Sequence, residues 1–238
     1  MLVSHLHKFI YFKNIKVASS SIECFFTPYC LPRNKAKLFD YTLEKSKVGI
    51  YEEGIIGDVS PNPKKKSFYR HVNAIRTKKI VDEINPNIWE TYFKFCAVRN
   101  PWDKMVSYYF YYKNYISKTP NNFDKGRKIN NFEEFIELIF MKYFKNDKKP
   151  CGFKYYTIQN KFICNFHIKY ENLVEDIKTV CKECNIENYN IDKLPNINGK
   201  FRDTEEHYSK YYNNYTKELV GKMFELKINK FNYNFDKV

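Results

Sequence analysis

The chain has 238 residues, 43% hydrophobic and 29% charged. That composition fits one folded domain with a real core and excludes a disordered or membrane-embedded class. Lys and Arg number 41 against 27 Asp and Glu, a net charge of +14. Such a balance matches an anionic partner (nucleotide phosphates, a sulfated or acidic glycan, nucleic acid or a membrane surface) or a general Lys and Asn bias.

The first sixteen residues lack the long apolar stretch and small-residue cleavage site of a secretory signal. No window approaches the ~20 apolar residues of a spanning helix. The expectation is a soluble protein, cytoplasmic or resident where it is made. Seven cysteines without a paired framework predict reduced thiols.

In chain order, Phe9-Ile10-Tyr11-Phe12 reads as a buried strand of a parallel sheet. A short helix through Ile22, Phe25 and Phe26 follows and stops at Pro28. Residues 31–67, with Gly49, Gly54, Gly57, Pro61 and Pro63, read as a long surface loop, a candidate substrate flap. Ala74 to Val81 predicts a helix ending before Pro86. Tyr92 to Val98 is a second buried strand. Asn100 then caps a helix with Pro101 in the first position and Asp103 in the third.

A helix from Asn131, with Glu134 as capping-box partner, buries Phe132, Phe135, Ile136, Ile139 and Tyr143. Phe166 to Tyr170 is a third strand. The helix after it carries Leu173, Val174, Ile177, Cys181 and Cys184. A last helix, about 217–230, turns Leu219, Val220, Phe224 and Ile228 inward. Strands alternating with helices predict an α/β fold. It is a single domain over 1–238, with a central parallel sheet flanked by helices.

Two places carry candidate chemistry. Lys16-Val17-Ala18-Ser19-Ser20-Ser21 joins a buried strand to a helix. A helix N-terminus offers backbone N–H groups and a positive dipole end, the hydroxyls add donors, and Lys adds full charge. On a plainer reading Ser20 only caps the helix, with Glu23 completing a capping box. The loop is not a Walker A loop, because it lacks the glycines and the Gly-Lys-Ser/Thr ending. The second place is Arg99, where a strand leaves the sheet at the edge that binds ligands in such folds, with Ser107 eight residues on. Arg supplies a planar fork for phosphate oxygens and Ser one hydroxyl. The plainer reading is a surface Arg and an ordinary helical Ser.

Together these places resemble the two nucleotide-binding loops of the sulfotransferases that use 3′-phosphoadenosine 5′-phosphosulfate (PAPS), particularly the carbohydrate branch. Lys169-Tyr170-Glu171-Asn172-Leu173 is similar to that family's Arg/Lys-Tyr/Phe-Glu-Asp/Asn-Leu stretch. His207-Tyr208 through Tyr211-Tyr212, with Phe231-Asn232-Tyr233, is similar to its C-terminal end. The likeness runs through nearly the whole chain in order. Relatives commonly have Pro before the loop Lys and Gly within the loop, where this chain has Ile15 and Ala18-Ser19.

The resemblance implies the P-loop-kinase-like sulfotransferase fold, with PAPS as donor and a hydroxyl acceptor, above all a carbohydrate. It places the 5′-phosphosulfate on Lys16, Ala18, Ser19, Ser20 and Ser21, and the 3′-phosphate on Arg99 and Ser107. His71, in a Lys/Arg-His-x-x-Ala-like stretch, becomes the candidate base, with Glu52, Glu53 and Asp58 as rivals. No metal, specific nucleic acid or membrane span is expected. The competing classes are a nucleotide- or sugar-kinase-like phosphotransferase and a basic nucleic-acid-binding protein. Neither has its motif here. Cys181 and Cys184 read as core packing, and Lys64-Lys65-Lys66 as a solvated loop.

Overall fold

The computed structural model describes residues 1–37, 39, 49–57, 71–118, 128–144, 152–197, 202 and 204–236. Asp58, Lys64-Lys65-Lys66, Tyr69 and Arg70 lie outside them. The strands are β1 (Leu2–Ser4), β2 (Phe9–Phe12), β3 (Gly49–Ile50), β4 (Gly54–Ile56), β5 (Phe93–Val98), β6 (Thr157–Ile158), β7 (Lys161–Phe162) and β8 (Phe166–Lys169). The helices are α1 (Ser19–Phe26), α2 (Arg33–Lys37), α3 (Ala74–Ile84), α4 (Pro86–Thr91), α5 (Pro101–Asn114), α6 (Phe132–Phe144), α7 (Leu173–Glu183) and α8 (Asn214–Phe231). Among the described residues, no helix is long and apolar enough to cross a membrane.

The chain divides into two compact units, Met1–Val98 with Lys154–Ile197, and Arg99–Phe153 with Asn198–Val238. The first holds a six-stranded sheet in the order β3-β4-β1-β2-β5-β8. The sheet is mixed, which corrects the expected parallel one. Among the described residues β2 with β5 and β5 with β8 run parallel, while β1 and β4 extend the sheet antiparallel. These added strands span two or three residues, too short for periodicity to reveal.

Residues 31–67 are therefore not one loop. β4 is buried within them and pairs with β1. Gly54 is required there, because a Cβ would run into the Val3 carbonyl oxygen and crowd Cys30. β5 and β8 end together, Val98 opposite Lys169, and β2 ends two residues earlier, Phe12 opposite Cys96. Ligands sit outside such carboxyl ends in open α/β sheets.

One sheet face presents Leu2, Phe9, Tyr11, Phe95, Ala97 and Ile168 to Ile22, Phe25 and Phe26 of α1 and to Ile177, Val180 and Cys181 of α7. On the other face Phe12 meets Trp89 of α4, a helix not expected from sequence. Val174 departs from its predicted face and is 41% exposed. Cys181 and Cys184 are buried in the core, and burial pushes both thiols up to about 12. That is packing chemistry, since a thiol so far from ionising is inert.

In the second unit, α5 begins as its residues dictate. The Asn100 side chain accepts from the Trp102 N–H, and Pro101 takes the first position. At α6 the cap is shared. Asn131 accepts from the Glu134 N–H at 2.9 Å, while the Glu134 carboxylate reaches back to the Asn130 N–H, also at 2.9 Å. α8 opens with a full capping box between Asn213 and Thr216. It buries Leu219, Val220, Met223 and Phe224, while Ile228 is only half-buried. Aromatic edges close this unit: Phe135 of α6 packs on Tyr108 and Tyr109 of α5, and Phe132 on Tyr212.

Candidate functional site

The turn between β2 and α1 is built on two left-handed residues that are not glycine. Lys16 has φ 57° and Ala18 has φ 54°. Between them Val17 is fully buried. The chain thus turns Val17 into the core and leaves Lys16 and Ala18 half-buried at the edge. L-residues adopt this conformation at a cost of about 1–2 kcal/mol each, and such strain gathers where geometry serves function. Ala18 stands in the stretch where the resembling family carries glycine. Replacing it with Gly is expected to raise unfolding free energy by up to about 1 kcal/mol, the relieved strain less the entropy of a freer unfolded chain. Urea unfolding midpoints read this directly; a fall like that of an ordinary helical Ala→Gly change would show no strain there.

The plain capping reading of this loop does not hold. Ala18 is the N-cap of α1, and no side chain caps the helix. Ser20 Oγ lies instead 3.4 Å from Lys13 Nζ, and Ser21 Oγ accepts from the Ile197 N–H at 3.1 Å. Glu23, the expected box partner, is buried and takes Lys13 Nζ at 2.6 Å. The Met1 amino group lies 3.8 Å from its other oxygen. Tyr11, raised well above its ordinary value by burial, directs its hydroxyl to the Ser19 carbonyl at 3.4 Å. Asn14 links the start of the loop to the Ala97 carbonyl on β5. Buried contacts thus fix both sides of the turn. The sequence reading gives Glu23 a capping role and does not single out Lys13, although a charge at each end of a strand–turn–helix was the available signal for their pairing.

His71, 58 positions from Lys13 in sequence, reaches this loop. Its Nδ1 lies 3.3 Å from the Lys13 carbonyl oxygen. A hydrogen bond to a carbonyl requires the proton on Nδ1, which leaves the lone pair on Nε2. Desolvation of the ring, then the Lys13 and Met1 ammonium charges, lower its pKa to about 4. The residue is exposed, and that solvent contact moderates the first cause while the two positive neighbours remain. His71 is thus neutral at pH 7 and a weaker base than a free imidazole. Of its rivals, Glu52 is exposed, and the Glu53 main-chain carbonyl is tied to the His5 N–H at 2.8 Å.

Arg99 and Ser107 belong to the second unit. Arg99 is nearly buried, and its Nε donates to Asp103 Oδ2 at 2.6 Å. The other oxygen of Asp103 takes Nη1 of Arg202 at 2.9 Å. One carboxylate thus aligns two guanidinium groups and leaves one net positive charge. Arg202 also donates to the Glu206 carbonyl. No motif marks Arg202, which lies 99 residues from its partner. Ser107 follows Asp103 by one helical turn on the same face of α5 and is half-buried. The plain reading of Arg99 as a surface residue does not survive its burial.

The motifs behind the family likeness have structural duties. The Asp176 carboxylate accepts from the Lys169 N–H at 2.6 Å and from the Asn172 amide at 2.8 Å, which closes the turn from β8 into α7. Asn232 ends α8 in a left-handed C-cap. The Tyr208 hydroxyl faces Asn100 at 3.3 Å.

Fold and turn together define a mixed α/β protein with a strained, uncapped strand–loop–helix turn at the carboxyl edge of its parallel strands. An uncharacterized protein from Archaeoglobus fulgidus is 35% identical over 107 residues, 44% of this chain and 77% of the archaeal one. The chain belongs to the same family as that protein. No family model matches it, and no solved structure matches it.

Proposed function

We propose that this protein transfers a sulfuryl group from PAPS to a hydroxyl acceptor, most fittingly on a carbohydrate. The observation that carries the reading is the β2–α1 turn. Its left-handed Lys16 and Ala18 and its uncapped helix start suit a bound anion. In the reaction the S–O bond to the donor phosphate breaks and an S–O bond to the acceptor oxygen forms. The acceptor proton passes to a base, and 3′,5′-adenosine bisphosphate leaves. Lys16 and the first N–H groups of α1 would stabilise the charge that grows on the departing phosphate. Fixed donors of this kind often supply the largest catalytic term.

Nε2 of His71 carries the lone pair that a proton acceptor needs, and its weakness as a base would leave much of the work to leaving-group stabilisation. Arg99 and Ser107, with Arg202 aligned through Asp103, would hold the 3′-phosphate. The test is transfer from radiolabelled PAPS to a glycan panel. Lys16→Ala is expected to lower kcat by ~10²-fold or more with the fold intact. Near-normal turnover in that variant would remove Lys16 from the mechanism, and no labelled product with any acceptor would remove the reading.

A further inference from the structure

Asn100 stands between Arg99 and the first turn of α5, and its side chain does two things. Its Oδ1 caps the helix by accepting from the Trp102 N–H at 3.0 Å. Its amide donates to the Asn234 carbonyl at 3.0 Å and to the Tyr208 hydroxyl at 3.3 Å. That hydroxyl accepts in turn from the Asp236 N–H at 2.9 Å and donates to the Asp236 carboxylate at 3.3 Å. Burial pushes the Tyr208 phenol up to about 12, so it keeps the proton it donates at neutral pH. Trp102 is held as well. Its indole N–H donates to the Lys217 carbonyl at 3.1 Å, and its own carbonyl accepts from the Tyr212 hydroxyl at 2.8 Å. The Phe235 ring meets Trp102, Tyr208 and Tyr212 edge to face, with centroids 5.5, 5.7 and 5.5 Å away. Lys217 Nζ lies 4.8 Å from the centre of the same ring. Residues 234–236, beyond the end of α8, are thus pinned to the turn that carries Arg99 and Asp103.

We propose that Tyr208 and Phe235 are positioning residues for the 3′-phosphate of the donor, acting through Asn100 and Trp102 to fix the direction of Arg99. The proposal rests on the sulfotransferase reading and extends its phosphate site. Arg99 and Asp103 bracket the residues that are pinned, and Asp103 Oδ2 takes Arg99 Nε at 2.6 Å. A tilt of that turn therefore moves both the guanidinium and the carboxylate that orients it. A planar fork on a phosphate tolerates little misplacement. The network allows little, because the Tyr208 hydroxyl uses its one proton and both its acceptor sites. Without that oxygen, an Asn100 amide hydrogen and the Asp236 N–H lose their acceptor, and the turn settles elsewhere. Without the Phe235 ring, Trp102 loses its edge-to-face neighbour.

The test is calorimetry on the full chain with 3′,5′-adenosine bisphosphate and with adenosine 5′-monophosphate, which lacks the 3′-phosphate. Tyr208→Phe and Phe235→Ala are each expected to weaken the bisphosphate about tenfold, as loss of an orienting partner does, and to leave the monophosphate unchanged. Thermal unfolding checks that each variant is folded at the temperature used. Should Phe235→Ala not fold, Tyr208→Phe carries the test, because it removes a single oxygen and keeps the ring. The double variant Arg99→Ala with Tyr208→Phe separates positioning from mere support of the fold. It should bind the bisphosphate no more weakly than Arg99→Ala alone, since the tyrosine acts through the arginine. Additive losses in that cycle, equal losses for the two nucleotides, or unchanged bisphosphate affinity in the folded single variants overturn the positioning role. Failure of the unaltered protein to prefer the bisphosphate overturns the parent assignment of Arg99 and this proposal with it, so the two failures are distinguishable.

Discussion

Replacing Glu23 with alanine is expected to lower the unfolding free energy by about 3–5 kcal/mol. Lys13 and Glu23 are each only 2% exposed, and their charged atoms are 2.6 Å apart. Such a pair is weak evidence for stability as a whole, because both ions lost their hydration to form it. Breaking it by removing one partner is a different matter, since it strands a cation in a site that water does not reach. Here the stranded group is Lys13, with the Met1 amino group nearby. Urea unfolding of Glu23→Ala measures the loss. A change below about 1 kcal/mol would mean that water or another anion readily replaces the carboxylate. A double variant, Lys13→Met with Glu23→Leu, is expected to regain part of the stability, because the Lys13 charge goes with its partner and only the Met1 amino group is left without the carboxylate. The pair also ties β2 to α1 beside the turn, so the single variant should disturb Lys16 and His71 even where it still folds.

Arg99→Ala is expected to weaken binding of 3′,5′-adenosine bisphosphate by about 2–4 kcal/mol, the cost of losing a desolvated charge-assisted contact. The fold should survive, because Asp103 keeps Arg202 at 2.9 Å and its carboxylate is not stranded. Arg99→Lys should restore little, since an ammonium cannot serve Asp103 and a phosphate with one planar fork. Calorimetry with the purified variants decides it. Unchanged affinity would confine Arg99 to its structural pairing with Asp103. Arg202→Ala should give a smaller loss of the same kind, because Arg202 is the more exposed of the two.

Much of the first unit's frame was legible in the sequence for a simple reason. Phe9–Phe12, Phe93–Val98 and Phe166–Lys169 are apolar runs with clear ends, and a buried parallel strand leaves just such a trace. The cap at Asn100 was legible because Asn and Pro each have one favoured place at a helix start. Strands of two or three residues leave no comparable trace. Leu2–Ser4 and Gly54–Ile56 exist because they pair with each other, and Leu2–Ser4 also with β2, information spread over more than fifty positions. The same holds at the candidate site. Lys16, Arg99 and Ser107 stood out by residue type and spacing. Arg202 and the Lys13–Glu23 pair became visible only through contacts that chain folding creates. His71 stood out by its type and its His-x-x-Ala setting, and only the fold sets it against the Lys13 carbonyl.

The left-handed turn at Lys16 and Ala18 has a bearing on how such loops are recognised among sequences. Glycine is common in phosphate-binding turns because it reaches positive φ without steric cost. Ala18 reaches the same backbone conformation at φ 54°, with β2 and α1 holding it there. A glycine pattern therefore marks the inexpensive solution and not the geometry itself. Lineages whose flanking elements are held as firmly as these can drift from glycine to alanine or lysine and keep the turn. A search keyed to the letter G passes over them, whereas one keyed to a short buried strand, a compact turn with a basic residue and an uncapped helix start does not.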